Sequence, residues 1–194
     1  MTQSDPYTDP ATGVLFNLFD LADPVALAEV ERDITFLRDG DLRRTPLPGK
    51  FDLNHLSAYH RHLFGDIYSW AGVPRRVNIA KPGAFFASWL HVEQALHDLF
   101  AKLRKENLLV GLDRTAFVTR FTHYFIEVNV AHPFREGNGR TQRAFFRHLA
   151  AHGGWALDIT TLVGNHYIEA CNGGMLGEPG PLAELFDTAL VPLS

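Results

Sequence analysis

Cysteine is nearly absent: Cys171 is the only one among 194 residues. That excludes an intramolecular disulfide and a cysteine-based zinc site. No apolar run is long enough to span a bilayer. Met1 to Pro10 is polar and acidic, without the basic and apolar segments of an export signal. A cytoplasmic protein is expected, with a secreted effector using another kind of signal as the alternative. Positive charge is not in excess either. The formal net charge of −4 argues against a general nucleic-acid binder, whose footprint would be basic. Internal repeats and low-complexity blocks are missing as well.

What is present is a 46% hydrophobic chain of a length that buries a real core, read as one domain over residues 1–194. Its most informative stretch is His132-Pro133-Phe134-Arg135-Glu136-Gly137-Asn138-Gly139-Arg140, continued by Thr141-Gln142-Arg143. Gly137 and Gly139 are poor helix formers and suit backbone that approaches a ligand or visits positive φ. Phe145, Phe146 and Leu149 recur at helical spacing before Gly153-Gly154, so a helix is expected to open near Asn138. A glycine-rich loop opening a helix aims free N–H groups and the positive end of the helix dipole outward, which makes an anion site.

Arg140 and Arg143 lie three apart on one helical face, where guanidinium forks can meet phosphate oxygens. Glu136 beside such a pocket would repel phosphate unless a cation bridged them, which implies Mg²⁺. His132 enters the loop, and its neutral imidazole can take a proton from a hydroxyl. Phe134 is apolar in a polar loop and is expected to anchor it to the core.

The flanking chain reads as helices. Asp23-Pro24 starts one whose apolar stripe is Leu27, Val30, Ile34 and Leu37, ended by Gly40, with Arg43-Arg44 in a solvated connector. Asp52 caps the next, with Leu53, Leu56, Tyr59, Leu63, Phe64 and Ile67 inward, and Trp70-Ala71-Gly72 breaking it. His55, His60 and His62 lack a metal-binding spacing and read as surface or cap groups. Trp89 to Leu103 and Phe117 to Val128 supply two more stripes, the second capped by Asp113 and core-facing. Before both, Val73 to Ala87 holds Pro74, Pro82 and Gly83 with alternating Val77 and Ile79, the pattern of a projecting β-hairpin. After Gly154 the expectation is a connector to Gly164, a short helix around Tyr167, interrupted at Asn172-Gly173-Gly174, and a last helix from Pro181.

The segment His-x-Phe-x-Glu-Gly-Asn-Gly-Arg-x-x-Arg, residues 132 to 143, resembles the active-site motif of the Fic family at every defining position. Arg75 to Ala87 resembles the family's flap, on which Val77, Asn78, Ile79, Ala80 and Lys81 would hold an extended segment of a target. The resemblance implies an all-α Fic fold, a helical bundle with a small hairpin flap over the active site, with core helices over about 52–152. It implies transfer of AMP from ATP to a Ser, Thr or Tyr hydroxyl of a protein. His132 would be the base and Glu136 the Mg²⁺ ligand. Phe134, Gly137, Asn138, Gly139, Arg140 and Arg143 would line the nucleotide, Asn138 holding the α-phosphate, and Tyr167 would wall the adenine. In the Doc branch a Lys stands where this chain has Gly139. Transfer of UMP or phosphocholine by the same motif, and an idle partner-binding module, are the other readings.

Family members are commonly restrained by a helix bearing Ser/Thr-x-x-x-Glu-Gly/Asn. Glu136-Gly137 follows His132, and Glu106-Asn107 follows Lys102, so neither fits. The resemblance then implies a separate small antitoxin whose Glu pairs with Arg143. It makes the chain a toxin whose targets would be type II topoisomerase subunits, of DNA gyrase or topoisomerase IV.

Overall fold

The computed structural model describes residues 5–81 and 84–193. Seven α-helices are present among these residues: α1 Pro24–Arg44, α2 Leu53–Phe64, α3 Trp89–Lys105, α4 Arg114–Ala131, α5 Asn138–His152, α6 Gly164–Met175 and α7 Gly180–Ala189. Two short antiparallel ribbons complete it, β1 Ala80–Lys81 with β2 Ala84–Phe85 and β3 Trp155–Leu157 with β4 Leu190–Pro192.

The helix starts obey local chemistry. Asp23, Asp52 and Asp113 each accept a hydrogen bond from a first-turn N–H, at 2.8, 2.9 and 2.9 Å. Helix α4 lies at the centre and packs against α3, α5, α6 and α7. Phe117, Phe121, Tyr124, Phe125 and Val128 are all buried on it, and Val118, Thr122 and Ile126 bury the opposite side too. Phe121 and Phe125 meet Phe146 of α5 and Phe186 of α7 edge-on, at centroid distances of 4.9 to 5.3 Å. A fully buried side chain of this size is worth about 1.5–3 kcal/mol. The α4–α5 unit is therefore the rigid part, and the motif is the loop between its helices.

Several expectations from sequence are corrected. Gly40 does not end α1, which runs through Arg43-Arg44. Asp39 receives Arg43 at 2.9 Å and Arg147 of α5 at 2.9 Å, and these contacts hold the turn that follows a glycine worth only about 1 kcal/mol against helix. The inward face of α1 is Leu27, Glu31, Thr35 and Leu42, while Leu37 is exposed. Helix α2 stops at Gly65, before Trp70, and Ile67 and Tyr68 are buried in the turn that follows. His55 and His60 are buried rather than on the surface. Trp155–Leu157 is a strand, because it pairs with Leu190–Pro192, beyond α6 and α7 in sequence, in the register Trp155↔Pro192. Helix α6 continues unbroken through Asn172-Gly173-Gly174, where Gly174 lets it pass close to Ile126 of α4. The hairpin exists but is short, since Val77 to Ile79 precede its first strand. Pro82 and Gly83 of its expected turn, and the first residues of the polar lead-in, lie outside the described residues. Among the described residues, no helix is long and apolar enough to cross a membrane.

Candidate active site

Helix α4 ends on His132, which adopts the left-handed conformation with φ 43°. Few side chains other than glycine sit there, and doing so turns the chain sharply into the loop. Gly137 then precedes α5 with φ 77°, and a Cβ on it would lie 2.3 Å from the Phe64 ring. Only glycine fits this position, on both counts. Phe134 is buried, and its ring stacks on His60 at 3.9 Å. His60 accepts from the Gly72 N–H at 2.8 Å through Nδ1, so its Nε2–H donates to the Glu136 carbonyl at 3.0 Å. Burial pushes this imidazole down to about 4, keeping it neutral. Asn138 closes the loop on itself. Its Oδ1 accepts the Phe134 N–H at 2.8 Å and its Nδ2 donates to the Phe134 carbonyl at 2.7 Å.

The catalytic candidate is held in one tautomer. His132 Nδ1 lies 3.1 Å from the Asn129 carbonyl and donates to it. Nε2 is left as an acceptor, buried and without a partner among the described residues. An orphaned buried acceptor is rare and calls for an explanation. Phe86 stacks on the imidazole at 3.8 Å. Burial, then the charge of Lys81, push its basicity down to about 3, so the ring is neutral at physiological pH. A neutral imidazole with a free Nε2 lone pair is poised to accept a proton.

His132 lines a cleft of about 380 Å³, which Lys81, Gly139, Arg143 and Tyr167 also line. Arg143 lies 5.9 Å from the Tyr167 ring centre. Among the described residues no carboxylate oxygen comes within 4.0 Å of Arg143. The first backbone N–H groups of α5, on Asn138, Gly139 and Arg140, have no partner within the helix, and Gly139 lines this cleft. The cleft therefore joins a proton acceptor, an unpaired guanidinium and a helix N-terminus, a constellation suited to a polyphosphate and a nucleophilic hydroxyl. A larger cleft of about 520 Å³ runs along α1 and holds none of the motif residues.

Other predicted residues are placed differently. Arg140 does not line the cleft beside His132: its Nη2 lies 2.5 Å from Glu31 of α1, its Nη1 donates to Thr35 at 3.4 Å, and it covers the Phe64 ring at 4.6 Å. Glu136 accepts the Gly137 N–H at 2.9 Å and stands 3.7 Å from Arg140. The Asn138 carboxamide is used by the loop, as described. On the flap, Ala80 and Lys81 are exposed, Val77 and Ile79 half-buried, and Asn78 accepts the Trp89 N–H at 3.1 Å, capping α3.

Arg75 was not foreseen as a structural centre. Fully buried, it donates to the carbonyls of His132 at 2.8 Å, Val77 at 2.6 Å, Ala87 at 2.6 Å and Ala131 at 3.2 Å. It ties both roots of the flap to the backbone of the catalytic candidate. Nothing in Pro74-Arg75-Arg76 separates it from its exposed neighbour. Glu31 and His60 were missed for the same reason, and Phe86 was read only as part of the flap.

A sequence model described as the Fic/DOC family matches residues 50–150. Protein adenylyltransferase VbhT of Bartonella schoenbuchensis is 44% identical over 155 residues, which is 80% of this chain and 32% of that protein. The chain thus spans about a third of that relative's length. "Probable protein adenylyltransferase Fic" of Salmonella typhimurium is 36% identical over 186 residues, covering 96% of this chain and 92% of the relative. Among solved structures, the BepC effector protein of Bartonella tribocorum with bound AMPPNP is similar with a TM-score of 0.88 and 27% identity, over 97% of both chains. An N-terminal Fic domain of a Bep effector protein from Bartonella quintana with bound ADP gives a TM-score of 0.89 and 28% identity, over 97% of this chain and 95% of that one.

Proposed function

The chain belongs to the Fic/DOC family, and from that membership and the geometry of the cleft we infer that it is a protein adenylyltransferase. The observation that carries the reading is the buried, unpartnered Nε2 of His132 beside Arg143 and the N-terminus of α5. The donor is ATP, in keeping with the nucleotides bound to its structural relatives. Its phosphates lie along the N–H groups of Asn138 to Arg140 and its terminal charge meets Arg143. Tyr167 walls the base end of the cleft.

A Ser, Thr or Tyr hydroxyl of the target approaches along the flap, where the exposed edge of Ala80–Lys81 offers backbone groups to an extended peptide. His132 Nε2 takes the hydroxyl proton. The oxygen forms a bond to the α-phosphorus, the bond from that phosphorus to the bridging oxygen of the β-phosphate breaks, and pyrophosphate leaves. An anionic nucleotide beside His132 offsets the Lys81 charge and raises its basicity towards its working range.

Glu136 fits a role in holding Mg²⁺. Groups of three or more metal-ligating side chains are absent among the described residues, so the cation would rely on this one carboxylate together with phosphate oxygens, the usual manner for Mg²⁺. When bound it would neutralise phosphate charge.

Restraint by a separate antitoxin belongs to the same proposal. Arg143 lacks a carboxylate partner among the described residues, and it also borders a second cleft of about 430 Å³ between α1 and the segment Ile159–Thr161. A partner's Glu in that cleft would reach Arg143 and exclude the terminal phosphate.

The test is incubation of the purified chain, alone and with cell extract, with labelled ATP, UTP or CDP-choline, and with His132→Ala as control. Protein label from ATP alone is expected. Label from UTP or CDP-choline alone would replace the donor, and label from none would leave a binding module.

A further inference from the structure

We infer that Glu31 is a positioning residue that holds Arg140 away from Glu136 and so keeps that carboxylate available to a divalent cation. The inference rests on the reading of Glu136 as the cation ligand. Glu136 and Arg140 stand four apart, the separation at which an acid and a base pair along a helix. Their contact is a loose ion pair: Arg140 Nη2 is 3.7 Å from Glu136 Oε1, without a hydrogen bond, and 2.5 Å from Glu31 Oε2. The competing carboxylate is itself fixed. Glu31 is buried on the inner face of α1, and the Tyr68 hydroxyl donates to its other oxygen. Tyr68 is buried and stacked on Trp70 at 4.4 Å, so this donor does not swing away. Arg140 is also steadied by the Phe64 ring, the same ring that fills the space beside Gly137.

With Glu31 removed, the nearest carboxylate to Arg140 is Glu136. An arginine closed onto that side chain competes with a cation for the same oxygens. A partly exposed pair of this kind is worth about 1.5- to fivefold in an equilibrium constant. Glu31 thus takes part in cation binding without touching the cation, from a helix over 100 residues away in sequence.

The experiment titrates Mn²⁺ into the full chain with ADP present and follows free Mn²⁺ by electron paramagnetic resonance. Four proteins are compared: the unaltered chain, Glu136→Gln, Glu31→Gln and Tyr68→Phe. Glu136→Gln is expected to lose most of the binding. Glu31→Gln is expected to weaken it about 1.5- to fivefold. Tyr68→Phe leaves every charge in place and only releases Glu31, so a shift of about twofold or more in the same direction separates positioning from a general loss of negative charge. Normal or tighter Mn²⁺ binding in Glu31→Gln, alongside a loss in Glu136→Gln, overturns this inference alone. No loss in Glu136→Gln overturns the metal reading and the inference with it. If Glu31→Gln does not fold, Tyr68→Phe decides, and unchanged binding there overturns the inference. A purely structural role would lower the melting temperature while leaving Mn²⁺ affinity unmoved.

Discussion

Replacing Asn138 with Ala asks whether the motif asparagine serves the loop or the nucleotide. Its carboxamide makes two hydrogen bonds, to the N–H and the carbonyl of Phe134, at 2.8 and 2.7 Å, and the residue is 6% exposed. Alanine removes both and leaves two backbone groups unpaired where water scarcely reaches. Each orphaned group costs about 1–3 kcal/mol, and some relaxation of the loop brings the pair to roughly 2–4 kcal/mol. For a domain of this size that lowers the melting temperature by roughly 5–15 °C. Urea unfolding followed by circular dichroism should show an earlier midpoint with an unaltered slope, since the surface exposed on unfolding is the same. Asn138→Asp keeps the acceptor for the Phe134 N–H but loses the donor, so its midpoint should fall between. Affinity for a non-hydrolysable ATP analogue, by titration calorimetry, should decline with the loop. A melting temperature within a degree of the parent, together with a large loss of nucleotide affinity, would refute the reasoning and return the side chain to the phosphate.

His132→Ala should reduce AMP transfer by about 10²–10⁴-fold while the analogue's affinity stays within a few-fold, because the imidazole is assigned a proton and not a phosphate; near-normal turnover of labelled ATP would remove it from the base role. Ala80→Pro takes an exposed N–H from the flap edge and should impair labelling of a protein target more than nucleotide binding, and equal loss of both would indicate misfolding. Acid should destabilise the fold before ordinary carboxylates titrate. His60 and His132 are held at about 4 and about 3 against an ordinary 6.5, so between these values the unfolded chain binds more protons, and stability falls as pH drops. By pH 5 each contributes a loss of about 2 kcal/mol, and the Arg-paired Asp39 and Glu106, whose carboxyls are held low, add to it at lower pH; a urea midpoint that is flat from pH 7 to pH 5 would contradict this.

Which features could be read in the sequence follows from how far apart their partners lie. The aspartate caps at Asp23, Asp52 and Asp113 bond within three residues, and the stripe on α4 repeats within one helix, so both are local patterns. The segment from His132 to Gly139 was legible because two glycines and a histidine at a helix boundary have few other uses. Groups satisfied at long range gave no such sign. The face of α1 turns inward at Glu31 and Thr35 because Arg140 and Tyr68 await Glu31 there, 109 and 37 residues on. A carboxylate between apolar positions reads as the outside of a helix, so the sequence pointed to the neighbouring stripe. His60 likewise reads as surface until Gly72 and Glu136 supply an acceptor's donor and a donor's acceptor. Arg75 is the extreme case: a charged group with no acidic partner among the described residues, buried because four backbone carbonyls converge on it. The candidate residues of the motif segment were thus visible from their own neighbourhood. The residues that hold them in place were not, because each one's role is defined by a partner that only the fold brings near. The two motif arginines divide along the same line: their spacing puts both within reach of the helix start, yet only Arg143 of the two lines the cleft beside His132, because Arg140 is held by a carboxylate that its own sequence neighbourhood does not contain.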